Sequence, residues 1–117
     1  MKQKEMIDPS LFVEFFGDYP YIRVLDFLLE NDIFDYSKKD ISRHANVSWN
    51  TLETVWGQLE RMNVIVHTRK VGKAEMYKIN EKNILVQQLM ELNTKLLRYS
   101  LEKIKPMRTT IVAADSD

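Results

Sequence analysis

Residues 35–80 read DYSKKDISRHANVSWNTLETVWGQLERMNVIVHTRKVGKAEMYKIN, and the spacing of apolar residues changes partway through. Ser37 and Asp40 form an S-x-x-D start for a short helix that runs through Ala45, because a serine hydroxyl satisfies a free N–H of the first turn. Ile41 and Ala45, four apart, share its buried side. Asn46-Val47 leaves room only for a tight turn, and asparagine tolerates the left-handed backbone such a turn needs. Ser48 then caps a longer helix, WNTLETVWGQLERM, with Leu52, Val55, Leu59 and Met62 as its apolar positions. Gly57 inside it costs about 1 kcal/mol relative to alanine, so packing must hold this helix. Asn63 is placed to end it. From Val64 the pattern alternates. VIVHTR reads as a strand, Lys70–Lys73 with Gly72 as a turn, and AEMYKI as the returning strand. Tyr77 and Ile79 share its core face, while Met76 and Lys78 point away.

Upstream, Asp8-Pro9 is a cap followed by a favourable first helical residue, opening LFVEFFG, which Gly17 stops. A second helix is expected from Asp18–Pro20 to about Asn31, with Ile22, Leu25, Leu28 and Leu29 on one face. NDIFDYS breaks that pattern and holds a short extended piece around Phe34–Tyr36. Downstream, Asn80 is expected to cap a long helix reaching about Lys105, stopped by Pro106. The tail MRTTIVAADSD has no partner strand and is expected to be mobile beyond Val112. In the last helix Leu85, Leu89, Leu92, Leu96 and Tyr99 are spaced 4-3-4-3, a heptad seam of the coiled-coil kind. Ile84, Met90, Leu97, Leu101 and Ile104 add a second stripe. One stripe packs on its own domain, and a second subunit is the economical cover for the other, giving a two-fold homodimer. The alternative is a clasp within the chain, against residues 11–16 and 22–29.

The 117 residues are enough for one domain and too few for two independent cores. No apolar run reaches the roughly 18 residues that span a bilayer, and MKQKEMID has no signal-peptide core. The absence of cysteine excludes disulfides, cysteine-based zinc sites and thiol nucleophiles, and fits a reducing cytoplasmic setting. Seventeen basic residues balance seventeen acidic ones, yet the distribution is uneven. Residues 1–35 carry three bases against eight acids, residues 36–82 nine against five, and residues 83–117 five against four. Positive charge therefore gathers around the two short helices and the hairpin, and a partner meets that local field rather than the total. His44 and His67 lie in different elements, no carboxylate–histidine cluster has metal-ligand spacing, and three glycines build no phosphate loop. Neither a catalytic nor a metal site is expected, nor any cofactor, and the chain does not read as an enzyme.

Helix, short helix, three-residue turn, longer helix and basic hairpin is the order of a winged helix-turn-helix. The stretch resembles the archaeal and bacterial winged-helix transcriptional regulators, more closely the archaeal (chromosomal, plasmid or viral) members. The matching residues are Ile41, Val47, Ser48, Thr51 and Leu52 in the helix-turn-helix. In the hairpin they are Val64, Ile65, Arg69, Gly72, Lys73, Tyr77, Ile79 and Asn80. The similarity extends over about residues 16–82. It implies a mainly α fold with a small β-hairpin (α+β), a winged helix-turn-helix with a long C-terminal dimerisation helix. The corresponding division is an N-terminal short helix (1–17), a DNA-binding domain (18–82), the dimerisation helix (83–105) and a flexible tail (106–117).

In the resembling family the second helix of the motif enters the major groove with its first turn at the base edges. Ser48, Trp49, Asn50, Thr51 and Thr54 are then the residues directed at DNA, since Leu52, Val55 and Leu59 occupy the opposite face. Asn50 is able to pair bidentately with adenine, and Thr51 to meet a phosphate or a thymine methyl; both equally serve as ordinary polar residues of a helix start. Lys38, Lys39 and Arg43, on the helix that crosses the backbone, are expected to neutralise phosphates. His44 reads as a neutral surface residue. Arg69, Lys70 and Lys73 surround the hairpin tip and suit the minor groove or flanking phosphates. The expected function is a homodimeric, sequence-specific regulator binding double-stranded DNA, with no membrane partner. The alternative is a winged-helix protein-interaction module without DNA binding. It draws on the acidic first third, on Trp49 where these proteins usually carry a polar or basic residue, and on Glu53 within the same surface.

Overall fold

A computed structural model describes residues 10–104. Its first helix, α1 (Leu11–Phe16), is capped by Ser10, whose Oγ accepts the Val13 N–H at 3.1 Å. The cap is therefore Ser10 rather than the expected Asp8; Asp8 and Pro9 lie outside the described residues. Gly17 ends α1 at φ +110°, and a Cβ at that position would stand 2.5 Å from the Tyr19 ring. Only glycine fits there. The chain turns straight into α2 (Pro20–Glu30), with Pro20 at the first helical position, where its missing N–H costs nothing. Val24, Leu25, Leu28 and Leu29 form its buried face. Val24 takes the place expected of Ile22, which is only half-buried.

A two-residue strand, β1 (Tyr36–Ser37), leads into α3 (Lys38–Ala45). The Ser37 hydroxyl accepts the Asp40 N–H at 3.1 Å, the cap expected there. Asn46 is left-handed (φ 57°, ψ 52°), and α4 (Trp49–Arg61) follows with Ser48 Oγ accepting the Thr51 N–H. Leu52, Val55, Trp56 and Leu59 are buried on α4. Met62 was expected on that face but is half exposed, because the helix ends at Arg61 and Asn63 turns the chain with φ 54°. Trp56 is the residue that closes the stripe instead.

The hairpin comprises β2 (Ile65–Val71) and β3 (Ala74–Ile79), joined through Gly72 at φ 65°. With β1 they form an antiparallel sheet in the order β1-β3-β2. Tyr36 pairs with Tyr77, and Tyr77 with His67. The ladder slips between His67 and Arg69, leaving Thr68 as a bulge. The last helix, α5 (Ile84–Ile104), begins four residues after the expected cap. Asn83 does the capping, accepting the Leu85 N–H at 2.8 Å, while Asn80 Oδ1 caps the preceding turn through the Lys82 N–H. Asn83 also donates to the carbonyls of Met62 and Asn63, tying the end of α4 to the start of α5. The expected stop at Pro106 and the tail beyond it lie outside the described residues.

One core joins all of this. Val24, Ile41, Leu52, Leu59 and Val86 are fully enclosed, and Phe12, Leu28, Trp56 and Ile79 nearly so. The two motif helices are thus set on α2 and on the root of the sheet, and α5 lies across α1.

Candidate nucleic-acid interface

The angle between α3 and α4 depends on the three-residue turn, and that turn is held from outside by Arg23 of α2. Its guanidinium donates to the carbonyls of Ala45 (3.1 Å) and Asn46 (3.2 Å) and pairs with Asp18 at 2.8 Å. These are carbonyls left without helical partners at the C-terminus of α3, where a cation also meets the helix dipole favourably. Ser42 completes the staple: its hydroxyl donates to the Val47 carbonyl, and its own carbonyl accepts the Val47 N–H at 2.9 Å. Arg23 lies off the apolar face of α2 that the periodicity defines. Nothing in its spacing signals a partner 22 residues away.

With the turn fixed, the first turn of α4 faces solvent. Trp49 is half exposed, Asn50 and Thr54 are exposed, and Thr51 is half-buried. Thr51 and Thr54 already have partners, since Ser48 Oγ donates to Thr51 Oγ1 at 2.9 Å and Thr54 Oγ1 donates to the Asn50 carbonyl. The Asn50 amide and the Trp49 indole remain turned outward.

The cations divide into two groups. Lys38 lies 3.5 Å from Glu53 and 5.0 Å from the centre of the Trp56 ring, with its side chain largely covered. Its charge offsets the acid that Glu53 adds to this surface. Lys39 is exposed, and Arg43 remains largely exposed although it pairs with Asp40 at 2.8 Å. His44 packs flat on Phe27, with ring centres 5.2 Å apart and planes 5° apart, and Tyr36 stands edge-on to both. It is a stacking residue of the α2–α3 contact.

On the wing, Lys70 lies 3.9 Å from Glu75. Glu75 also holds His67 at 2.6 Å. Lys73 has no polar partner among the described residues. Arg69 is engaged: Nε and Nη2 donate to the two oxygens of Asp35 at 2.8 and 3.0 Å, and the Thr68 hydroxyl donates to the same carboxylate. The fork from Arg69, with help from Thr68, holds the Asp35 carboxyl down at about 2, so it is ionised at any physiological pH. Sequence reasoning placed Arg69 at the tip and gave Asp35 no role; their separation of 34 residues carries no local signal.

On α5 the structure divides the heptad seam. Leu89 and Leu96, with Met90, pack against the core, and Val86 is enclosed in it. Leu85 and Tyr99 at the two ends of the seam are exposed, as are Ile84, Leu97 and Leu101 of the second stripe. Among the described residues no helix is long and apolar enough to cross a membrane.

No protein-family model matches the sequence, and no curated protein matches it. Solved structures do. NadR, in complex with 4-hydroxyphenylacetate, aligns over 98% of this chain and 79% of its own at a TM-score of 0.58 and 13% identity. MepR, a transcription regulator of the Staphylococcus aureus multidrug efflux pump MepA, aligns over 89% and 82% at 0.57 and 14%. At such identities the likeness establishes the architecture: a mainly helical winged helix-turn-helix with a three-stranded antiparallel sheet and a long C-terminal helix.

Proposed function

We propose that this chain is a sequence-specific regulator that binds double-stranded DNA as a homodimer, with α4 in the major groove and the β2–β3 wing on the minor groove or flanking phosphates. The observation that carries this reading is the surface opposite the buried face of α4. There the outward-facing Trp49 and Asn50 sit at the start of a helix whose Glu53 is offset by Lys38, and the hairpin that follows carries Lys70 and Lys73 exposed at its tip. A transcription regulator among the solved structures of the same architecture supports it. So does the sequence resemblance, from which we take the archaeal type; the cytoplasmic setting rests on the cysteine-free composition.

The roles follow from what each side chain has left to offer. Asn50 is placed to read an adenine edge, worth about 1–3 kcal/mol of discrimination. Trp49, in this reading, takes a thymine methyl or a sugar face. Ser48, Thr51 and Thr54 shape the helix start, with hydroxyl oxygens in reach of the backbone. Lys39 and Lys73 are the cations for phosphates, joined by Arg43 and Lys70, which would leave single ion pairs with Asp40 and Glu75; Lys38 is largely covered and Arg69 is held by a two-point fork to Asp35. About four contacts per monomer give a log–log salt slope near −3 to −4. The domain division of the sequence reading carries over: residues 18–82 bind DNA and residues 83–105 join the subunits.

The test is selection of bound sequences from random duplexes, followed by titration of the winner. A palindromic site and a salt slope in that range are expected, and the Lys70→Ala/Lys73→Ala double variant should flatten the slope by about two. Absence of salt-dependent binding in the unaltered chain would sink the reading. The exposed pair Ile33 and Phe34, 76% and 63% accessible in the α2–β1 loop, favours the second reading, a protein-interaction module. A stoichiometric protein partner lost on Phe34→Ser, with no retained DNA at about 100 mM salt, is the result that would select it.

A further inference from the structure

From Val66 to Val71, β2 is exposed at every residue, and only Ile65 at its root is buried. Apolar packing therefore does not set the direction of the outer wing. A two-stranded ribbon on its own is marginally stable and twists readily. The Thr68 bulge adds local bend and twist at the same place. Three polar contacts along this stretch are internal to the hairpin: His67 and Lys70 with Glu75, and Thr68 with the Met76 carbonyl. Internal contacts hold the two strands together without aiming them. Among the described residues, Asp35 alone grips the outer part of β2 from outside the hairpin, taking the Thr68 hydroxyl and the Arg69 fork at the bulge itself. Asp35 precedes β1, which is anchored in turn through Tyr36 on Phe27 and through its ladder to β3. The clamp thus links the bend of the wing to the body that carries α4.

We infer that Asp35 is a positioning residue for DNA binding: with Thr68 and Arg69 it aims the wing so that Lys70 and Lys73 reach the duplex while α4 occupies the major groove. The inference rests on the DNA-binding reading above. It assigns Arg69 to the clamp rather than to the groove, and it makes a prediction opposite in sign to simple electrostatics. Removing an acid from a DNA-facing protein strengthens binding in general, because one repulsion to phosphate is lost. Removing this one weakens it, because the lysines lose their aim.

The experiment measures affinity for the selected duplex by fluorescence anisotropy at one fixed salt concentration, for the unaltered 117-residue chain and its variants. Asp35→Asn is expected to weaken binding about tenfold, and Arg69→Lys, which keeps the charge but cannot make the fork, by a similar factor. The Asp35→Asn/Arg69→Lys double variant should be no weaker than either alone, since both break one unit. In the Lys70→Ala/Lys73→Ala background, Asp35→Asn should change affinity less than about twofold, there being no lysines left to aim. A folding defect would lower binding equally in both backgrounds, so an equal loss overturns the inference. So does unchanged or tighter binding by Asp35→Asn, the outcome expected if Arg69 is itself a groove contact freed by the substitution. Lack of DNA binding by the unaltered chain overturns the functional reading and this inference together, whereas the other failures leave the DNA reading standing.

Discussion

At the scale of single residues, two charged residues of α2 act in opposite directions. Arg23 satisfies the exposed end of α3, so Arg23→Ala should lower unfolding free energy by about 2 kcal/mol in urea denaturation. Its partner Asp18 is largely exposed, and Asp18→Ala should cost less than about 0.5 kcal/mol. A larger effect at Asp18 than at Arg23 would show that the surface ion pair, and not the carbonyl contacts, does the holding. Asp26 works against the fold. Burial raises its carboxyl above the usual range, helped by the charge of Glu30 and opposed by a hydrogen bond from Ser10, and its Oδ1 has no partner. The folded state thus prefers the protonated form, so the ionised group subtracts stability at neutral pH and the penalty fades as pH falls through the raised value. Asp26→Asn should therefore raise the unfolding free energy at pH 7 by less than about 1 kcal/mol after solvent screening, seen as a higher melting temperature, with the gain shrinking as pH falls and Asp26 takes up its proton. A gain independent of pH would place its cause elsewhere.

At the scale of elements, α4 shows which local signals were legible and which were not. Ser48 as cap and the stripe Leu52, Val55 and Leu59 were readable because capping and the 3.6-residue period are local rules. The burial of Trp56 was not, because it depends on Tyr77 of β3 standing edge-on to the indole at 4.9 Å. Gly57 read as a cost that packing had to offset, and in the structure no close contact requires a glycine there. An added Cβ would meet only the end of the Arg61 side chain, at 3.7 Å. Gly57→Ala should accordingly stabilise the chain by about 1 kcal/mol, seen as a higher denaturation midpoint with an unchanged slope. At Gly72 the same substitution meets open space but a φ of 65°, and strain should reverse the sign. The start of α5 was misplaced because two asparagines, Asn80 and Asn83, both suit a cap. The choice fell to Asn83, whose amide also reaches the carbonyls at the end of α4.

At the scale of the whole molecule, the chain is elongated, 57 × 36 × 22 Å, with α5 as its longest element. Leu97 and Leu101 are more than half exposed on it, and Ile84 and Leu85 likewise. Large apolar side chains at helical spacing rarely stay in water. In the proposed dimer they are the contact, joined by Tyr99, while Leu89 and Leu96 of the seam are partly committed to the chain's own body. Leu97→Glu/Leu101→Glu should convert a dimer into a folded monomer, with unchanged helical circular dichroism and half the mass by sedimentation equilibrium. DNA affinity should fall with it, since two half-sites would no longer be bound together. A unaltered chain that sediments as a monomer at micromolar concentration would remove the dimer from the proposal.

The order of elements across residues 35–80 was determined by the sequence alone, because caps, turn residues and hydrophobic period act over a few positions. The same is true of the clustering of positive charge there. Tertiary structure decided which of those charges are free. Lys38 is spent on Glu53 and Trp56, and Arg69 on Asp35, through contacts 15 and 34 residues apart that no periodicity encodes. It also decided that the heptad seam is shared between the core and the surface. Local rules lay down elements; the packing of those elements selects which side chains remain to meet a partner.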